Sequence, residues 1–221
     1  MSGPATAPSV RGPRWSRWLG VFLARVVWNT QVLDAHHVPR EGPVVLAANH
    51  IGTMDGPVVH GACPRGTHFL VKSEMFRGPL GWVLRSAGQI PVDRDNSRPA
   101  LVSALAVLKR GGAVGIFPEG ARGRGDGEDS RGGVAWLAVQ GGAPVVPVAV
   151  LGTRYTGESI GRVPRPRRRL VVAFGEPLDV SPAKGRAGRD AVADAHTTVR
   201  EALGAHVTAT VARTGVALPQ D

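Results

Sequence analysis

From Pro43 onward, short apolar runs alternate with longer segments of helical periodicity, and this alternation constrains the fold of the 221-residue chain more than any other feature. The apolar runs predict strands at residues 44–48, 67–71, 89–92, 113–117, 145–150 and 170–174. Helical patterns cover residues 56–63, 73–85, 97–110, 133–140 and 189–213. Strands that alternate with helices predict an α/β fold with a central mixed sheet flanked by helices. The pattern does not determine the strand order.

The first predicted strand runs directly into His50, and Asp55 follows five residues later. Gly52 and Gly56 indicate that the chain turns here, so both side chains lie where a strand ends in a loop. An aspartate that accepts one imidazole N–H leaves the other ring nitrogen as a lone-pair acceptor, which is the arrangement of a general base. The nucleophile would then come from a substrate. The alternative is that His50 is an ordinary loop histidine and that Asp55 caps the next helix.

Two other predicted strands end next to arginines. Residues 88–94 end with Arg94, and residues 117–122 contain Glu119 and Arg122. Because a planar guanidinium binds two oxygens at once, the two arginines predict a fork for a phosphate. Glu119 would hold Arg122 in place or accept a hydrogen bond from a substrate hydroxyl. The alternative is that these arginines are simply exposed at strand ends.

The strand predicted at residues 145–150 contains a proline, Pro147, and Pro144 precedes it. Proline has no N–H to donate to a neighbouring strand. This sequence therefore predicts a strand at the edge of the sheet or a bulge in it.

The amino-terminal region predicts two segments before a main domain at residues 38–221. Residues 1–13 are rich in Pro, Ser, Gly and Ala and predict a disordered tail, and residues 14–37 predict a helical arm. A helical wheel separates an apolar side from a basic side: Trp15, Leu19, Phe22, Leu23 and Val26 against Arg14, Arg17 and Arg25. A basic helix with tryptophans is typical of the membrane interface, and its uncharged run is far too short to span a bilayer. The alternative is an amphipathic helix packed on its own domain.

The formal net charge is +10, and arginine carries almost all of the excess, because the only lysines are Lys72, Lys109 and Lys184. A basic surface favours anionic membranes, nucleic acid or phosphorylated substrates. The alternative is a genome composition that uses arginine in place of lysine. A basic cluster at residues 165–169 would contact phosphates of lipid or nucleic acid, or face solvent. The single cysteine, Cys63, excludes an internal disulfide framework, and no structural zinc site is expected.

Four segments resemble, in order, the four motif blocks of the glycerolipid acyltransferase family, whose best-known members are the 1-acylglycerol-3-phosphate acyltransferases. They are Asn49-His50 with Asp55, residues 88–94, residues 117–122 and residues 145–150. The resemblance extends from about residue 38 to about residue 178. It implies a sheet flanked by helices, with an N-terminal amphipathic, membrane-associating helix.

The resemblance implies that His50 is the general base and that Asp55 orients it, with a substrate hydroxyl as nucleophile and no covalent acyl-enzyme. It also implies a set of residues that bind the acceptor's phosphate or shape its pocket: Arg94, Glu119, Gly120, Arg122 and Lys72. The backbone of Val146, Pro147 and Val148 would support the oxyanion. The third block usually has Thr or Ser before its arginine, and here that residue is Ala121. This departure leaves the identity of the acceptor open.

The implied reaction moves a fatty acyl group from acyl-CoA or acyl carrier protein to a lysophospholipid such as 1-acylglycerol 3-phosphate, giving phosphatidic acid. Another lysolipid or a glycolipid is an alternative acceptor. No metal or cofactor beyond the donor substrate is expected. The expected partners are the donor, a membrane lipid acceptor and an anionic membrane surface contacted by the N-terminal helix, which places the chain peripherally on the cytoplasmic face of the cell membrane.

A basic nucleic-acid-binding protein is the alternative from another class. The net charge of +10 and the cluster at residues 165–169 favour it. Against it, the aromatic residues gather near the amino terminus instead of alternating with the basic stretch. No nucleic-acid partner is therefore expected.

Overall fold

The strands and helices are taken from a computed structural model that describes residues 7–93, 96–118, 132–182 and 188–221. The strands are β1 Asn29–Leu33, β2 Val44–Ala48, β3 Thr67–Lys72, β4 Ile90–Val92, β5 Ala113–Ile116, β6 Val145–Leu151 and β7 Arg169–Phe174. The α-helices are α1 Gly12–Phe22, α2 Asp55–Ala62, α3 Gly78–Ser86, α4 Arg98–Lys109, α5 Gly133–Gly141 and α6 Arg189–Thr214. A π-helical turn, Leu23–Val27, continues α1.

All seven strands form one sheet in the order β1-β7-β6-β2-β5-β3-β4. The pairings are parallel except between β6 and β7, which confirms the predicted mixed sheet flanked by helices. Every residue of β2 is buried, as expected for a central strand covered on both faces. We call the edge at which β2 to β6 end the carboxyl edge. Since β7 is antiparallel to β6, β7 and β1 begin at this same edge.

The two faces of the sheet carry different helices. Val45 and Ala47 of β2 pack with residues of α4, α5 and α6, whereas Val44 and Leu46 pack with residues of α2. Helix α1 lies outside α2. The sheet therefore separates the amino-terminal helices from the carboxyl-terminal ones.

The predicted helical arm at residues 14–37 is wrong at both ends. Helix α1 already begins at Gly12, inside the predicted tail, and residues 1–6 lie outside the described part of the chain. Beyond the π-helical turn, residues 29–33 form β1, an edge strand paired with β7. The prediction missed β1 because an edge strand needs little apolar surface, and its sequence Asn-Thr-Gln-Val-Leu is largely polar.

The single helix predicted at residues 73–85 is two pieces. A 3₁₀ turn covers Ser73–Phe76, and α3 starts at Gly78. Gly78 has a φ of +57°, which interrupts a continuous helix, and Pro79 then suits the first turn of the new one.

The prediction of an edge strand at Pro147 is wrong, because β6 lies between β2 and β7. The bulge alternative describes the local geometry better. Val148 pairs with Phe174 but Val145 pairs with Leu178, so the register with the antiparallel neighbour shifts by one residue between these two pairs. The absent N–H of Pro147 falls in this irregular stretch, where the Pro147 carbonyl still accepts from Gly175 N–H at 2.8 Å.

Helix α1 packs on α2 and on the segment after α3 through its smallest residues. Gly12, Ser16 and Gly20 recur every fourth position and are buried. A Cβ added to Gly61 of α2 would lie 2.2 Å from the Gly20 carbonyl carbon, so the two backbones are in direct contact. The arm is thus packed on its own domain, as one alternative predicted.

Several large apolar side chains of α1 and the turn after it are exposed, whereas Leu23 and Val27 of the turn pack against the core. Exposed ones are Trp15, Trp18, Leu19, Phe22 and Val26, with Trp18 70% and Val26 65% exposed. On the neighbouring α3, Trp82 is 68% exposed, and the Trp15 indole N–H donates to the Ser86 carbonyl at 3.1 Å. Soluble surfaces rarely collect so many exposed aromatic groups, and a patch of this kind is typical of an interaction surface. Of the helices in the described ranges, none is both long and apolar enough to cross a membrane.

A buried histidine joins α1 to the sheet. Ser16 donates its hydroxyl proton to the Gly12 carbonyl at 3.0 Å, so His60 Nε2–H donates to the Ser16 oxygen at 2.9 Å. His60 Nδ1 then accepts from the Thr67 hydroxyl at 2.6 Å. Because one ring nitrogen donates and the other accepts, the two hydrogen bonds require a neutral imidazole. Burial, followed by the charges of Arg17 and His68, lowers the pKa of His60 to about 4.

We expect the free energy of unfolding to fall as the pH drops from 6.5 towards 4. In this window the unfolded chain binds a proton at His60, whose ordinary pKa is 6.5, while the folded chain does not, because its pKa is about 4. The stabilisation is complete above pH 6.5, and the loss amounts to about 3 kcal/mol at most. Denaturant unfolding across this range measures it.

The control for this titration is His60→Gln, which keeps a donor and an acceptor but does not titrate. We expect it to flatten the pH dependence. A residual slope of the same sign comes from His68, since burial lowers its pKa too. A wild-type unfolding free energy independent of pH in this window would contradict the assignment.

Candidate active site

His50 lies two residues beyond the end of β2, and Asp55 is the first residue of α2. Their side chains meet, with His50 Nδ1 2.8 Å from Asp55 Oδ2. The carboxylate is an acceptor only, so Nδ1 carries the proton and Nε2 presents its lone pair. The His50 side chain is 14% exposed and that of Asp55 is 0% exposed. The ring nitrogen that could remove a proton therefore belongs to the member of the pair that solvent reaches.

Asp55 is fixed by donors on both of its oxygens. Oδ2 also accepts from the backbone N–H groups of Ile51 at 2.7 Å and Gly52 at 2.8 Å. Oδ1 accepts from the Thr153 hydroxyl. These hydrogen bonds offset the cost of burying a carboxylate and hold it in one orientation. The capping alternative is wrong, because α2 begins without a side-chain cap and Asp55 turns back to the loop.

An aromatic wall supports the imidazole. The ring of Phe117 stacks on His50 with centroids 4.1 Å apart and an interplanar angle of 18°. Phe69 of β3 backs Phe117 at 5.5 Å. Because one face of the imidazole is covered, His50 has little freedom to rotate away from Asp55.

Asn49 ties the site to β6. Its side chain donates to the Val150 carbonyl at 3.1 Å and accepts from the Val150 N–H at 2.6 Å. This pair of bonds continues the contact between β2 and β6 past the last strand pair, Ala48 with Val148. It thereby brings Thr153, which follows β6, against Asp55.

Sequence reasoning missed Thr153 and Phe117 as members of the site. Both directly follow the end of a strand or lie just beyond it, which is the signal that singled out His50. The sequence pattern places Phe117 in a strand and gives no other signal at Thr153. Gly52 also fits closely here, since a Cβ on it would lie 3.1 Å from the Thr153 hydroxyl oxygen, tighter than an ordinary contact.

The structure describes only part of the remaining predicted site. Lys72 ends β3 at the carboxyl edge and is partly exposed. The backbone of residues 146–148 forms the middle of β6, where Val148 pairs with Ala48 of β2. The others lie outside the described residues: Arg94, Glu119, Gly120 and Arg122. The binding and oxyanion roles of all these residues remain predictions. In the described ranges, no group of three or more His, Cys, Asp or Glu side chains is placed to hold a metal ion.

The fold and the site define an α/β protein with a histidine–aspartate pair at the carboxyl edge of its sheet. The acyltransferase family model matches residues 29–151, which covers β1 through β6. The 1-acyl-sn-glycerol-3-phosphate acyltransferase of Bacillus subtilis is 33% identical over 151 residues, covering 67% of this chain and 73% of the relative. The enzyme of the same name from Streptococcus pneumoniae is 32% identical over 124 residues, covering 55% of this chain and 44% of that protein.

A solved structure shares the fold. The crystal structure of the 1-acyl-sn-glycerophosphate acyltransferase PlsC from Thermotoga maritima matches with a TM-score of 0.68 and 24% identity, covering 90% of this chain and 80% of the other. That structure shows the shared fold, and the family model together with the Bacillus relative shows that the chain belongs to the acyltransferase family and is an O-acyltransferase.

Proposed function

We propose that this enzyme transfers a fatty acyl group from acyl-CoA or acyl carrier protein to the free hydroxyl of a lysophospholipid such as 1-acylglycerol 3-phosphate, giving phosphatidic acid. The names of the Bacillus and Streptococcus relatives support this acceptor. The observation that carries the mechanism is the hydrogen bond from His50 Nδ1 to Asp55, which leaves Nε2 as a base. The reaction needs no nucleophilic side chain from the protein, because the acceptor hydroxyl attacks the thioester directly.

The proton follows a closed path. His50 Nε2 accepts the proton of the acceptor hydroxyl while its oxygen attacks the thioester carbonyl carbon. Asp55 stabilises the imidazolium that forms, and its own position is held by Thr153 and the loop N–H groups. When the tetrahedral intermediate collapses, the C–S bond breaks, and the thiolate takes the proton from His50. The ring returns to its starting state with no acyl group on the protein.

The acceptor's phosphate requires cationic groups near this base. By family resemblance, Arg94 and Arg122 bind it, Lys72 assists, and Glu119 and Gly120 shape the pocket. The order of the strands supports the position of these groups relative to His50. Strands β4 and β5 end at Val92 and Ile116, on the same edge as His50.

The acceptor is a membrane lipid, and we propose peripheral association with the cytoplasmic face of the membrane. The exposed apolar side chains of α1 support an interfacial contact, together with the arginines Arg14 and Arg25 on the same helix and turn. Packing of α1 on α2 fixes the orientation of the domain relative to that contact.

The test is acceptor-dependent thiol release. Purified enzyme is given acyl-CoA, or acyl carrier protein loaded with the same acyl group, with and without each lysolipid, and free thiol and lipid product are both measured. We expect thiol release only with an acceptor, fastest with 1-acylglycerol 3-phosphate. Release that does not depend on an acceptor would mean a thioesterase, and preference for an acceptor without a phosphate would overturn the proposed headgroup.

A further inference from the structure

The connection between β6 and β7, residues 152–168, lies at the carboxyl edge beside the histidine–aspartate pair. Its first residues hold Asp55 through Thr153. Farther along, the Ile160 carbonyl accepts from the Thr53 hydroxyl, in the loop between His50 and Asp55, at 3.0 Å. The basic cluster singled out in the sequence, at residues 165–169, ends this connection. The first part of the connection thus contacts the site loop, and the basic cluster lies farther along the same edge of the sheet.

Internal ion pairs give the connection a fixed shape. Arg168 donates two hydrogen bonds to Glu158, each 2.6 Å long. The hydrogen bonds from Arg168 lower the pKa of Glu158 to about 2, so this pair holds across the physiological pH range. The Arg168 guanidinium also lies over the Tyr155 ring at 4.5 Å. The Arg168 guanidinium is thus engaged by other side chains of the connection.

Two other arginines of the cluster are directed outward. Arg165 and Arg167 are exposed, and neither forms an ion pair with any residue that the structure describes. Two apolar side chains of the same connection are exposed beside them, Ile160 at 43% and Val163 at 57%. Cationic groups interspersed with apolar ones match the composition of an anionic lipid interface, which offers phosphates above a hydrocarbon layer.

Arg167 has a φ of +62°, in the left-handed region that favours glycine. Its backbone N–H donates to the Val27 carbonyl at 2.6 Å, which attaches the turn to the end of the amino-terminal arm. Arginine is less favourable than glycine in this backbone conformation.

The connection is continuous with the exposed apolar surface of the arm. The Trp28 indole N–H donates to the Pro164 carbonyl at 3.1 Å, next to Val163. Val26, 65% exposed, lies one residue from the Val27 carbonyl that holds Arg167. One surface thus extends from the arm to the border of the site.

We propose that the β6–β7 connection is a second contact with the anionic bilayer, in which Arg165 and Arg167 bind lipid phosphates and Ile160 and Val163 enter the interface. This contact turns the carboxyl edge, and with it His50, towards the membrane that holds the acceptor. It rests on the proposed function, because an enzyme with a water-soluble acceptor has no need of it.

The test compares vesicle binding of two double variants of the full chain. Arg165→Gln with Arg167→Gly removes both guanidiniums and also relieves the positive φ, so thermal stability is not expected to fall. The matched control, Arg189→Gln with Arg200→Gln, removes the same charge from α6. This helix packs on the face of the sheet opposite to the face covered by α2. Binding is measured by co-sedimentation with phosphatidylcholine vesicles that contain or lack phosphatidylglycerol.

We expect each arginine of the connection to contribute about fivefold to binding of vesicles with phosphatidylglycerol at low salt, and less at high salt. The control should lose far less, and neither variant should change turnover with a short-chain, water-soluble acceptor. Ile160→Ser with Val163→Ser should weaken binding to both kinds of vesicle.

Equal binding by the two arginine variants would overturn the proposal, even if acyl transfer is intact. Loss of salt-sensitive binding to single-stranded RNA, with vesicle binding unchanged, would assign the two arginines to nucleic acid instead and would also overturn it. Absence of acceptor-dependent transfer in the wild-type protein would overturn the proposed function and leave the vesicle measurement to be judged separately.

Discussion

Replacing His50 by alanine is expected to lower kcat for acyl transfer by about 10³-fold, within the range that general base catalysis contributes. Nε2 of His50 is the atom placed to take the hydroxyl proton, because Nδ1 is committed to Asp55 at 2.8 Å. The side chain is partly exposed, so the fold should survive its truncation. Initial rates of thiol release with acceptor, measured alongside thermal unfolding, separate the two effects.

A matched variant separates the loss of the proton acceptor from the loss of the hydrogen bond to Asp55. His50→Asn can keep an N–H donor near the position of Nδ1, and so preserve the partner of Asp55, but it has no group that accepts the substrate proton. We expect it to be as inactive as the alanine variant. A kcat within about tenfold of wild type in either variant would show that another group is the base.

Replacing Asp55 by asparagine is expected to lower kcat by about 10³-fold while the loop keeps its shape. An amide oxygen in place of Oδ2 still accepts from His50 and from the N–H groups of Ile51 and Gly52. The amide NH₂ can donate to Thr153, whose hydroxyl is able to reverse its role. What is lost is the negative charge beside the imidazolium, worth about 4 kcal/mol for unit charges roughly 4 Å apart at an effective dielectric constant near 20.

Two comparisons sharpen this expectation. Asp55→Ala should cost stability as well as rate, because it leaves the buried donors of the loop without an acceptor. Thr153→Val keeps the carboxylate and removes one of its anchors, so we expect a smaller loss of kcat with little change in KM. If Asp55→Asn retained most of the wild-type kcat, charge stabilisation by Asp55 would not be part of the mechanism.

The local order of the chain was predictable because it depends on short-range periodicity. All six predicted strands occur, and β2 has the bounds expected. A run of five apolar residues between turn signals is too short for a typical helix and favours a buried strand. The edge strand β1 was missed because its stability comes from pairing with β7, far along the chain, and not from its own apolar content.

The histidine–aspartate pair was also accessible to sequence reasoning, because the two residues share one loop and five positions separate them. Their hydrogen bond needs only a tight turn, which Gly52 allows. The same reasoning did not find Thr153, whose contact with Asp55 spans 98 positions along the chain.

The sequence by itself determined the α/β class, most element positions and the reactive pair, all of which depend on neighbours a few residues apart. Only the tertiary structure decided that β6 is central despite Pro147, that Thr153 and Phe117 join His50 and Asp55, and that α1 packs through glycines with its tryptophans outward. The physical reason is that a mostly parallel sheet brings strand ends to one edge whatever their separation in the chain. Which strands become neighbours depends on how complete faces pack together, and no local pattern records that.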